Sequence, residues 1–90
     1  MILSFPNPSR SFDASQNRIL FWGYDKTMEV SFTINSDALK LLCPEIDITE
    51  KELLMVFDTI RLQINTVANT VYSQSKKRAF AYDLTANDFW

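Results

Sequence analysis

The chain has 90 residues, 47% of them hydrophobic and 13% aromatic, with a formal net charge of −2. That length holds one domain rather than two, and a single Gly with three Pro argues against disorder. The charge excludes a whole-molecule field toward nucleic acid or anionic lipid, the lone Cys43 excludes an internal disulfide, and the absence of His removes Ser-His-Asp and Cys-His pairs and every His-ligated metal.

Met1 to Phe5 is apolar but carries no basic region and meets Pro6, so it does not read as a secretion signal. No stretch approaches the ~20 apolar residues of a membrane span. The expected setting is the cytoplasm, with no membrane contact.

Residues 1–9, with Pro6 and Pro8, read as an irregular lead-in. A very short strand at Ser11 to Asp13 precedes a polar turn at Ala14 to Asn17. Arg18 to Tyr24 is β-rich and apolar on both sides of the pleat: Ile19 and Phe21 point one way, Leu20, Trp22 and Tyr24 the other. Both faces therefore call for cover. Gly23 permits a bend, and Asp25-Lys26-Thr27 reads as a hairpin turn. Met28 to Ile34 alternates cleanly, with Met28, Val30, Phe32 and Ile34 facing the core.

Ser36 is the expected N-cap of a short helix that Pro44 brings to an end at Cys43. Thr49 and Glu52 form a capping box, flanked by Ile48 and Leu53. The stripe Leu53, Phe57, Ile60, Ile64, Val67 and Val71 then predicts one long helix from Glu50 to about Gln74. A last strand carries Phe80, Tyr82 and Leu84 on one face, and residues 85–90 read as an irregular tail.

The sum is a single α+β domain over 1–90 in two layers. An antiparallel sheet of three or four strands carries two helices, one short and one long, on one face, in the order β-β-α-α-β.

Four blocks, Asn7-Pro8-Ser9-Arg10-Ser11-Phe12-Asp13, Phe21-Trp22-Gly23-Tyr24-Asp25, Glu29-Val30-Ser31-Phe32, and Tyr82-Asp83-Leu84-Thr85 with Asp88-Phe89, resemble domain-of-unknown-function family 1488. These are short single-domain proteins of proteobacteria. The resemblance implies a two-layer fold with an antiparallel sheet, and it implies no activity.

No catalytic residues are assigned, and no cofactor or metal is expected. The first candidate pocket or interaction cluster is Arg10, Asp13, Trp22, Tyr24 and Asp25, a guanidinium, two carboxylates and two aromatics. Its plainer reading is structural, with Arg10 and Asp13 pinning the lead-in by an ion pair while Trp22 packs beneath. Lys76, Lys77 and Arg78 before Phe80 and Tyr82 suggest nucleic-acid contact, yet three charges make a small patch, and a helix C-terminus also favours them. Cys43 beside Pro44 reads as a packed thiol rather than a reactive one. Glu45, Asp47, Glu50 and Glu52 suit a helix N-terminus without any metal.

Met55 and Leu62 lie opposite the core stripe and form a candidate oligomer surface. The apolar stripe Leu20, Trp22, Tyr24 also needs cover. Internal cover by Ile2, Leu3 and Phe5 is favoured over a subunit or partner. The preferred function is a non-catalytic accessory or protein-interaction module, with an unknown protein or a second copy as partner. A single-stranded nucleic-acid binder is the first alternative, and a small-ligand binder or enzyme the second.

Overall fold

Alternation in the first half of the chain lays down three antiparallel strands, β1 (Arg10–Asp13), β2 (Arg18–Asp25) and β3 (Met28–Asn35). The computed structural model describes residues 2–75 and 79–89. Asn17, with φ of 47°, closes the first turn, and Lys26, with φ of 60°, turns the hairpin. Asp13 organises the first turn by accepting from the Ser15 amide at 3.0 Å and hydroxyl at 2.6 Å.

The helical segment begins at α1 (Ser36–Leu42), capped by Asn35, whose side chain accepts from the Ala38 amide at 2.9 Å. The cap therefore lies one residue before Ser36. Asn35 is still extended as the last residue of β3, and that geometry aims its amide oxygen at the first helical turn. The helix stops at Leu42, with the Cys43 amide bonded back to Leu39.

Thr49 caps the next helix through the Glu52 amide, as the capping box predicts. The long rod is not continuous. It divides into α2 (Glu50–Thr59) and α3 (Arg61–Gln74) at Ile60, whose φ of −108° and ψ of 21° leave the helical region. The Thr59 hydroxyl donates to the Met55 carbonyl at 2.8 Å. Beyond the break the buried side turns to Ile64, Asn65, Ala68 and Tyr72, and Val67 and Val71 are only partly buried.

β4 (Ala81–Leu84) pairs with β3 in parallel, Phe32 opposite Tyr82, which corrects the expected all-antiparallel sheet. The sheet is mixed, in the order β1-β2-β3-β4. Parallel neighbours require a crossover, and the helices between β3 and β4 provide one. The order is thus β-β-β-α-α-α-β, with one strand and one helix more than the predicted β-β-α-α-β. The tail is also not irregular, because Ala86–Phe89 forms a 3₁₀ turn that packs on α1 and α3. Asp88 secures it by accepting from the Thr85 amide at 2.8 Å.

The core lies between the helices and one face of the sheet. It takes Ile19 and Phe21 from β2, Val30, Phe32 and Ile34 from β3, Leu84 from β4, and Leu53, Phe57 and Ile64 from the helices. Phe21 stacks on Phe32 at 5.4 Å and meets Phe57 at 5.2 Å. Each such ring contributes roughly 1.5–3 kcal/mol by burial. Met28 shares the inward parity but sits at the strand end, 48% exposed.

The lead-in joins the helix side. Leu3 is buried, Ser4 exchanges two backbone bonds with Tyr24 at 2.9 and 2.8 Å, and the Phe5 ring lies over Gly23. A Cβ on Gly23 would meet that ring at 2.7 Å, so the glycine is needed for space. Phe5 also approaches Phe21 and Phe32, with ring centroids 6.5 and 6.4 Å apart. Of the cover expected from Ile2, Leu3 and Phe5, Leu3 and Phe5 thus go to the opposite face from Leu20, Trp22 and Tyr24, and Ile2 stays largely exposed.

Candidate interaction surface

The register of β2 fixes the surface. Its burial alternates from Arg18 to Tyr24, so that Ile19, Phe21 and Gly23 face the helices while Arg18, Leu20, Trp22 and Tyr24 face away. Leu20, Trp22 and Tyr24 are half-buried, and none is among the partly buried apolar residues that pack against the core. Neighbouring strands border this stripe with small or polar side chains. Ser11 and Thr33 flank Leu20, Ser31 flanks Trp22, and Glu29 flanks Tyr24.

Charge sits at both ends of the stripe. Arg18 donates to Asp13 at 2.9 Å and lies 3.8 Å from Asp83, which accepts from the Thr33 hydroxyl at 2.5 Å. The Ser15 hydroxyl, followed by Arg18, holds the Asp13 carboxyl below the usual carboxylate range. At the other end the Tyr24 hydroxyl donates to Glu29 at 3.2 Å. Among the described residues of this face, three carboxylates thus stand against one guanidinium, already engaged between two of them.

Arg10 and Asp25, the remaining members of the predicted cluster, lie on the helix side. Arg10 stands opposite Phe21 and makes a two-pronged bond to Asp58 of α2, 2.9 and 2.8 Å. That bond keeps Asp58 below, and Arg10 above, their ordinary pKa values. Asp25, at the far end of β2, accepts from the Tyr72 hydroxyl at 2.7 Å. The five residues divide between two faces and share no hollow. The expected Arg10–Asp13 ion pair is not formed: Arg10 ties β1 to Asp58, while Asp13 pairs with Arg18 across the turn.

A family profile described as "Protein of unknown function (DUF1488)" matches residues 3–83. The chain belongs to the DUF1488 family. A crystal structure of a protein of unknown function from the DUF1488 family of Shewanella loihica PV-4 shares the fold, with a TM-score of 0.78 over 92% of this chain and 91% of that one. The two sequences are 18% identical. No curated protein matches the chain.

The other candidate residues of this DUF1488 chain are scattered. Met55 and Leu62 are 54% and 83% exposed, one on each side of the Ile60 break. Met55 lines a shallow groove of about 530 Å³ with Arg10, Lys51 and Asp58. Lys76, Lys77 and Arg78 lie outside the described residues. Of the aromatics that follow them, Phe80 is exposed, whereas Tyr82 stacks on Phe32 at 5.7 Å and meets Tyr72 edge-on. Cys43 packs half-buried against the core. Among the described residues, no three acidic or thiol side chains gather around one point.

One constellation was missed by sequence reasoning. Arg61, Asn65 and Asn69 recur every four residues on one side of α3. Arg61 donates to the carbonyls of Pro8 at 2.6 Å and Asn7 at 3.2 Å, and Asn69 accepts from the Leu3 amide at 3.0 Å. Arg61 also lies over the Phe57 ring at 5.1 Å, and its desolvation lowers its pKa. A polar row at helical spacing was the available signal.

Proposed function

We propose that this domain is a non-catalytic protein-interaction module that docks through the sheet face turned away from the helices. The observation that carries the reading is the stripe of Leu20, Trp22 and Tyr24, which no part of the core covers. An aromatic centre bordered by Ser11, Ser31 and Thr33 has the layout of an interface, apolar within and polar at the rim. Nucleic acid has less support here, because phosphate contact needs an excess of cations and the described residues of this face carry an excess of carboxylates. A polar hollow of about 420 Å³ lies at the Arg18 end of this face, lined by Thr33, Asn35, Asp37 and Asp83, but its guanidinium is already engaged by Asp13 and Asp83, which gives a catalytic reading less support. No described helix is long and apolar enough to cross a membrane, and a cytoplasmic setting is part of the proposal.

A photo-crosslinking amino acid placed at Ser11 or Leu20, and separately at Leu62, tests the reading in cells. Light-dependent adducts are expected from the two sheet positions and not from Leu62. Adducts from Leu62 alone would move the interface to the helices and end this proposal.

A further inference from the structure

We infer that the occupant of the open sheet face is a basic, extended segment of a partner protein, lysine or arginine flanking an apolar residue. This rests on the interaction reading above and adds the chemistry of the partner. Asp13, Asp83 and Glu29 border the stripe, and Arg18 is held between the first two. A carboxylate has about four acceptor sites. Glu29, an exposed residue, uses one of its own for the Tyr24 hydroxyl and keeps acceptor capacity toward solvent.

A second copy of the chain fits poorly. It would bring the same three carboxylates and an Arg18 already engaged, so like charges would meet across the contact. Area points the same way. Strands spaced about 4.8 Å apart and rising about 3.3 Å per residue give this face roughly 400 Å², half of the ~800 Å² per partner in a standard interface. A linear segment fits such a strip, whereas a globular subunit would leave much of its contact unmade.

Spacing sharpens the expectation. Asp83 stands beside Thr33, in the row of Leu20 but two strands from it, and Glu29 stands beside Tyr24. Leu20 and Tyr24 are four positions apart on β2, about 13 Å. Two cations four residues apart in an extended peptide span the same distance, and the residue midway between them falls near Ser31, the cross-strand neighbour of Trp22. Trp22 and Tyr24 add ring faces that attract cations, Trp most strongly.

The experiment is a ¹⁵N-NMR titration of the full chain. The probe is an end-blocked nonapeptide in which two lysines, four apart, flank a leucine with threonines between; its twin carries glutamates for the lysines. The lysine peptide is expected to shift Ser11, Leu20, Trp22, Glu29 and Thr33, to bind at least tenfold tighter than the glutamate twin, and to weaken with salt. Glu29→Lys, on an exposed side chain, should weaken it at least tenfold. Asp83→Asn, which retains a partner for Thr33, gives a second, milder loss. Equal binding of the twin at the same residues overturns the cationic preference and leaves the interaction reading intact. So does concentration-dependent self-association through this face without peptide. Binding that persists in Trp22→Thr, or shifts confined to the helices, overturns both. Failure of the lysine peptide to bind overturns the inference alone, since crosslinks from Ser11 and Leu20 report on the reading independently.

Discussion

Gly23 and Phe5 form a lock that neither residue announces alone. Gly23 sits on the inward face of β2, and the Phe5 ring occupies the space a Cβ would need. Gly23→Ala should therefore destabilise the fold by about 1–3 kcal/mol through overpacking. In a Phe5→Ala background the same substitution should cost less than half as much. Urea denaturation of the four variants measures both terms, and full additivity would refute the contact. The sequence offered Gly23 as a bend. Its backbone is not in the left-handed region, and its role is to admit an aromatic ring. That role depends on a residue eighteen positions away, so no local pattern could reveal it.

At the scale of elements, caps and breaks decide where the predicted periods apply. Asn35→Ala should cost about 1 kcal/mol, because it removes the side chain that accepts from Ala38. Ser36→Ala should change stability by less than about 0.5 kcal/mol if Ser36 is only the first helical residue. Equal losses from the two would mean that the cap is shared. The capping box at Thr49 was legible because all of its parts lie within four residues. The break at Ile60 was not. An apolar stripe of spacing three and four runs through it without interruption, and the back-bond of Thr59 to Met55 does not mark it, since Thr66, Thr70 and Ser73 make the same bond within unbroken α3. The rotation of α3 then buries Tyr72, whose hydroxyl reaches Asp25.

Across the whole molecule, the lead-in and β1 are tied to the helices by polar contacts around a thin apolar seam. The Arg10–Asp58 pair is partly exposed, with side-chain exposures of 34% and 48%, so solvent screening limits it to about 0.5–1 kcal/mol. Asp58 has a folded-state pKa below its unfolded value, near 3.9. Its contribution is therefore present above about pH 4 and fades as pH falls through the lower folded value. Urea midpoints should be flat from pH 5 to 7 and decline below about pH 4. In Asp58→Asn the decline should be shallower, though still present through Asp13, whose pKa is also lowered. An unchanged acid slope in that variant would remove the ion pair from the account. The same contacts explain why the open face stays open. Leu3 and Phe5 are drawn to the helix side, and the stripe along β2 is left outside the core.

By itself the amino-acid order determined the strands, the hairpin, the starts of α1 and α2 to within a residue, and the inward residues of β2 and most of β3. Each of these is set by neighbours a few positions apart, through pleat, turn and cap geometry. Tertiary structure alone decided the parallel direction of β4, the side taken by the lead-in, and the separation of Arg10 from Trp22. Those outcomes depend on which distant surfaces meet. A pattern of period two marks both faces of a strand and is silent about which one a helix will cover.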